Sequence, residues 1–149
     1  MESLKIKRLS PLAVIPKRAT AGSAAVDLCA AMEEPLTLAP GDRAMVPTGI
    51  AIELPREDMV ALVFARSGLA VKSGINLSNS VGVIDSDYRG EIKVGLINQS
   101  RESFTILPGD RIAQLMVTYA LPLPIVEAEE LSDTERGAGG FGSTGINNN

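Results

Sequence analysis

The sequence predicts an all-β fold, a barrel or a sandwich, and three observations point there. Short runs rich in Val, Ile and Leu recur every ten or so residues. Proline and glycine divide those runs. The best helix candidate is only a few residues long.

In chain order, residues 4–8 and 43–46 alternate apolar and polar, the period of a strand with one face in the core. Residues 50–54, 60–64, 92–97, 104–107 and 112–119 are further strands. Residues 67–74 form the helix candidate, with Ser67 at an N-cap position and Gly74 just past the C-terminus. Gly68 inside it works against the helix. The hexapeptides Leu38-Ala-Pro-Gly-Asp-Arg43 and Ile106-Leu-Pro-Gly-Asp-Arg111 resemble each other. Pro followed by Gly suits the two central positions of a type II turn, so both are expected as hairpin turns. Ser132-Asp-Thr-Glu135 fits a capping box, yet no apolar run follows, and no helix is expected there.

Composition narrows the function. The chain has 149 residues, the size of one domain, with 45% hydrophobic and 21% charged residues. Aromatics are 3% and Trp is absent, so the core rests on aliphatic side chains. A net charge of −4 offers no general attraction to nucleic acid or membrane. There is no His, which excludes His-based triads, His metal sites and a His general base. Acid–base work falls to carboxylates, Lys, Tyr or Cys. The single cysteine, Cys29, permits no intrachain disulfide, which fits a reducing, cytoplasmic setting; it is expected as a small buried apolar residue. The charged start lacks the apolar segment of a signal peptide, and no apolar run is long enough to span a bilayer.

Three segments carry chemistry. In Gly82-Val-Ile-Asp-Ser-Asp-Tyr-Arg-Gly90 the carboxylates of Asp85 and Asp87 lie two residues apart. On a strand they share a face; in a turn they diverge. Asp85 follows two β-branched residues that hold it rigidly, a placement that suits a general base acting on water. An acidic turn between strands accounts for the same residues. In Ala65-Arg66-Ser67-Gly68-Leu69, a cation and backbone amides at a helix start make an anion site, though a simple N-cap explains Ser67 equally well. The tail has five glycines between Gly137 and Gly145. It satisfies G-x-G-x-x-G, but the strand and helix required around that fingerprint are missing. It nearly fits a P-loop, except that Ser143 stands where Lys is needed. What both patterns share remains: glycine amides able to cradle phosphate, with Arg136 as a fork-shaped cation and the hydroxyls of Ser143 and Thr144. Phe141, with no core to join, is suited to stack on a flat ligand. The alternative is a solvated tail.

Taken together and in order, these segments resemble the trimeric dUTPase family. Ala24-Ala25-Val26-Asp27-Leu28 is similar to its first motif, residues 65–69 to the second and 79–91 to the third. Pro108-Gly-Asp-Arg-Ile-Ala-Gln-Leu115 is similar to the fourth, and residues 136–145 to the fifth. The first motif commonly has Gly where Ala25 stands, and the second commonly has Pro where Ala65 stands. The resemblance implies a distorted jelly-roll barrel over 1–127 and a flexible, glycine-rich arm over 128–149 that closes on a neighbouring subunit. It implies a homotrimer with sites between subunits and hydrolysis of dUTP to dUMP and pyrophosphate, which supplies dUMP for thymidylate synthesis. Asp85 would activate water against the α-phosphorus. Tyr88 would pack under the deoxyribose. Asn79, with the backbone of Gly82, Val83 and Ile84, would read uracil, and Lys93 would touch the base through its backbone. Arg66, Ser67, Gly68 and Gln114 would hold the triphosphate. From the arm, Phe141 would cover the uracil and Arg136 the γ-phosphate, with Gly142, Ser143 and Thr144 beside them. Mg²⁺ would be held by the triphosphate itself, with Asp27 supporting the site indirectly. Residues 72–85 have the longer hairpin form that includes Asn79.

Three other assignments share the fold. A dCTP deaminase needs a catalytic Glu where this chain has its Val-Ile-Asp-Ser-Asp loop. A nucleotide-binding regulatory protein without activity is opposed by the intact Asp85, Tyr88 and arm. A structural jelly-roll subunit has no use for such an arm.

Overall fold

The computed structural model describes residues 2–140. Strands account for nearly all of its regular structure. They are β1 (Lys5–Arg8), β2 (Val26–Cys29), β3 (Leu36–Leu38), β4 (Arg43–Pro47), β5 (Ile50–Glu53) and β6 (Met59–Phe64). After one short helix, α1 (Gly68–Lys72), follow β7 (Ile75–Leu77), β8 (Gly82–Ile84), β9 (Lys93–Asn98), β10 (Phe104–Ile106) and β11 (Arg111–Tyr119). The arrangement is all-β and jelly-roll-like.

Two larger sheets frame the core. One has the order β2-β11-β6-β8 and the other β4-β9-β7; the pairs β1-β5 and β10-β3 close the sides. Every described pairing is antiparallel. Between the sheets pack Leu28, Val46, Ile50, Ile75, Val94, Leu96, Ile106, Ile112 and Leu115. This aliphatic core is what the shortage of aromatics requires. Among the described residues, two polar side chains lie within it. Asn98 is fully buried and donates to the carbonyls of Leu38 and Glu102, while its own oxygen accepts from Ser100. Thr48 donates to the carbonyl of Ile92. Paired in this way, neither carries the penalty of a buried unpaired polar group.

All seven expected strands are present, within a residue or two of the expected ends. Four others, β2, β3, β7 and β8, have no counterpart among those expectations. Each is three or four residues long, too short to display a period. The Pro-Gly turns are twins. Gly41 and Gly109 have φ of 86° and 82°. In each, an Asp side chain accepts from the amide three residues back, Asp42 from Ala39 and Asp110 from Leu107. The helix is one turn, and Gly74 follows it at a φ of 66°, as a C-terminal glycine should. Ser67 departs from its expected role: its backbone is already helical and its hydroxyl caps no amide. The expected hairpin over 72–85 is also replaced. β7 pairs with β9 and β8 with β6, so this stretch crosses from one sheet to the other. Cys29 is half-buried rather than enclosed.

Candidate active site

A cavity of about 240 Å³ opens where the two larger sheets separate. From the β2-β11-β6-β8 sheet come Val63, Gly82, Val83 and Ile84, continuing into Asp85 and Tyr88. From the other come Leu77, Lys93, Val94 and Gly95, with Asn79 in the crossing between the sheets. β8 is the last strand of its sheet, so one flank of its backbone has no strand partner. β7 covers β9 only from Leu96 to Asn98. The equivalent flank at Lys93 and Val94 therefore has no strand opposite it. Backbone donors and acceptors thus face the cavity from both sides, with aliphatic walls around them.

The crossing is held tightly. Ser80 has a left-handed φ of 65°, and the amide of Val81 donates to the carbonyl of Asn79. A Cβ on Gly82 would press on Val63 at 3.2 Å and meet the Asn79 amide nitrogen at 3.8 Å. Glycine there lets the strand lie against both. After Ile84 the chain turns, closed by the Tyr88 amide donating to the Asp85 carbonyl. Asp85 and Asp87 therefore stand in a turn, not along a strand. Tyr88 lies back over the following residues, its hydroxyl donating to the Glu91 carbonyl at 3.0 Å.

Asp85, Asn79, Gly82, Val83, Ile84, Tyr88 and Lys93 line one cavity. Arg66, Ser67, Gly68 and Gln114 are not among its lining residues. Arg66 donates through Nε to Asp27 at 2.7 Å, and Arg111 reaches the other oxygen of the same carboxylate at 3.2 Å. Gln114 donates to the carbonyl of Ala65, which fixes the approach to Arg66. Sheet order measures the separation. Asp27 is on β2 and Asp85 follows β8, three strand spacings apart or roughly 14 Å. Along the strands, Ile84 lies opposite Ala61, so Asp85 continues opposite Val60. Arg66 is six residues beyond that point, about 20 Å of extended chain. Within one chain, the phosphate-binding candidates and the water-activating candidate occupy different places.

Residues 120–140 follow β11 as exposed chain without regular structure, and Arg136 is on this stretch. Phe141, Gly142, Ser143 and Thr144 lie outside the described residues. Six lining residues had no expected role: Val63, Leu77, Glu91, Ile92, Val94 and Gly95. Val94 and Gly95 read as ordinary strand, and Glu91 as the last residue of the third motif. Cys29 is close to the Arg66–Asp27–Arg111 cluster. Burial pushes its thiol above the ordinary value, and the Asp27 carboxylate adds to that.

The chain also matches known proteins over most of its length. The dUTPase family model matches residues 12–145. The deoxyuridine 5'-triphosphate nucleotidohydrolase of Desulfitobacterium hafniense is 52% identical, covering 98% of this chain and 99% of its own length. That of Neorickettsia sennetsu is 54% identical over 88% of this chain and 87% of its own. Among solved structures, a mutant dUTPase of Staphylococcus bacteriophage 80alpha with dUpNHpp has a TM-score of 0.89 at 28% identity. That match covers 98% of this chain and all of the other. On a family match spanning most of its length and relatives above half identity, the chain belongs to the dUTPase family.

Proposed function

We propose that the protein hydrolyses dUTP to dUMP and pyrophosphate in sites assembled between three copies of the chain. The observation that carries this is the cavity itself: two unpartnered backbone flanks, a side-chain amide, an aromatic ring and a carboxylate at one mouth. Backbone flanks at fixed spacing suit the donor and acceptor edge of a pyrimidine. Gly82, Val83, Ile84 and Asn79 take that edge, and the backbone of Lys93 closes the other side. Main chain so close leaves no room for the methyl group of thymine. Tyr88 supports the deoxyribose and leaves no place for a 2′-hydroxyl.

Hydrolysis at phosphorus needs an oriented water and neutralised charge rather than a covalent nucleophile. Asp85 takes the proton from water, which attacks the α-phosphorus; the P–O bond to the β-phosphate breaks and pyrophosphate leaves. Arg66, Ser67, Gly68 and Gln114 of a neighbouring copy hold the triphosphate. Asp27 orients Arg66 through Nε, leaving its terminal nitrogens for phosphate. Mg²⁺ would be held chiefly by the triphosphate itself, where it would neutralise phosphate charge. Asp27, engaged by two guanidiniums, supports that end through Arg66. The arm over 128–149 closes from a further copy, with Arg136 on the γ-phosphate and Phe141 over the base.

A separate feature supports the oligomer. β6 is apolar at every position, Met-Val-Ala-Leu-Val-Phe, with Ala61 and Val63 turned into the core. Leu62 and Phe64 fall on the outer face beside Met116, and Val83 flanks Leu62 there at 64% exposure. A strand apolar on both faces is made to be covered on both, and copies of the chain supply the second cover.

Pyrophosphate release from dUTP, dCTP, dTTP and UTP decides the assignment. The expected result is a dUTP rate above the other three by about two orders of magnitude or more. Equal rates on all four would overturn it.

A further inference from the structure

Glu91 lines the cavity but has no part in the chemistry above. Its surroundings tie three pieces of the structure together. One carboxylate oxygen accepts the Gly49 amide at 3.0 Å. The other faces the Lys93 ammonium at 3.6 Å. Its main-chain carbonyl accepts the Tyr88 hydroxyl. Gly49 is a rigid anchor. It has a left-handed φ of 66°, and a Cβ added there would meet Ala13, Ser10 and Ala31. The adjoining residues are joined as well: the Thr48 hydroxyl donates to the Ile92 carbonyl and the Ile92 amide to the Ile50 carbonyl. The turn at 48–50 therefore fixes the backbone of 91–92, and that backbone holds the tip of Tyr88. Gly90 completes the seat. A Cβ there would lie 2.6 Å from Cζ of Tyr88, overlapping the ring.

We propose that Glu91 is a positioning residue that, with Gly90, sets the tilt of the Tyr88 ring and through it the rejection of ribose. This rests on the assignment of dUTP as substrate and of Tyr88 as the support of its sugar. The ring is the wall of the cavity that meets the sugar. Its angle is fixed at both ends, by the Asp85–Tyr88 turn and by the Glu91 carbonyl. Freeing the second end lets the ring swing outward and opens space for a 2′-hydroxyl.

The chain itself supplies the probe. It has two tyrosines and no tryptophan, and Tyr119 lies outside the cavity. In full-length protein carrying Y119F, tyrosine emission therefore reports Tyr88 alone. Acrylamide quenching of that emission, without nucleotide, is compared among the parent, E91A, E91Q and G90A. The ratio of kcat/KM for dUTP over UTP is measured on the same proteins. E91A is expected to raise quenching about twofold as the ring loosens. The same change should lower the ratio roughly tenfold to hundredfold. E91Q keeps an oxygen for the Gly49 amide and should hold both readouts near the parent. Should E91A fail to fold, G90A decides, since its methyl displaces the ring from the other side and should move both readouts alike. An unchanged ratio with either variant overturns the proposal, as does E91Q behaving like E91A. If the parent hydrolyses dUTP and UTP equally, the substrate assignment has failed instead, and quenching still reports whether Glu91 seats the ring.

Discussion

Two carboxylates line the cavity, and their surroundings separate their roles. Glu91 is committed to a backbone amide and an ammonium. The Asp85 side chain, among the described residues, has no hydrogen bond or ion pair and is exposed at the end of β8. A carboxylate left free at a rigid strand end can approach a water and take its proton. D85N keeps the shape and removes the base. Binding of a non-hydrolysable dUTP analogue, followed by calorimetry, should be nearly unchanged, while pyrophosphate release falls about a thousandfold. Near-normal turnover would remove Asp85 from this role. Cys29 makes a second test at this scale. Its thiol is raised by burial, so the neutral form persists to higher pH than the ordinary 9.0. Labelling by iodoacetamide at neutral pH should be slower than in the urea-unfolded chain, and should accelerate only as pH rises past that value. Asp85 was legible as a candidate base from its neighbours Val83 and Ile84 and from the missing histidines. The place of Glu91 was not, because its partners are 42 residues away at Gly49 and on the next strand.

Short elements decide how much of the fold the sequence displays. β9 and β11, of six and nine residues, stand out as apolar runs. β2 and β8 do not: one carries Asp27 and the other is Gly-Val-Ile, and both exist because long neighbours pair with them. Their strand character is tertiary, and local propensity does not contain it. Turn chemistry is the opposite case, since Pro-Gly-Asp acts locally. Gly41 and Gly109 both have positive φ, and nothing lies within 4 Å of a Cβ added at either. The cost of alanine is then the dihedral alone. G41A and G109A should each destabilise by about 1–2 kcal/mol and by nearly equal amounts in urea titration. G49A should cost clearly more, because its methyl would also meet Ala13 at 2.9 Å and Ala31 at 3.1 Å. Equal costs at all three positions would show that packing around Gly49 yields freely.

At the scale of the molecule, the sequence displays candidate residues for the site but not how many chains supply them. Motif order runs along one chain, whereas Arg66 is drawn toward β2 and Asp85 lies past β8 at the far edge of the same sheet. If sites form between copies, each needs Asp85 from one chain and Arg66 from another. Mixing two inactive variants tests this directly. D85N and R66A proteins, each inactive alone, are combined in equal amounts and allowed to exchange subunits. In a randomly mixed closed oligomer, a site is whole when its Asp85 donor is an R66A chain and its Arg66 donor is a D85N chain. That occurs in about a quarter of sites, so the mixture should recover about a quarter of the parental rate. If both residues acted within one chain, every site in the mixture would lack one of them and no activity would return. Recovery would also depend on exchange, appearing with time after mixing and faster under mild denaturant. A mixture that exchanges, as mass-labelled subunits reveal, yet stays inactive would confine the site to a single chain.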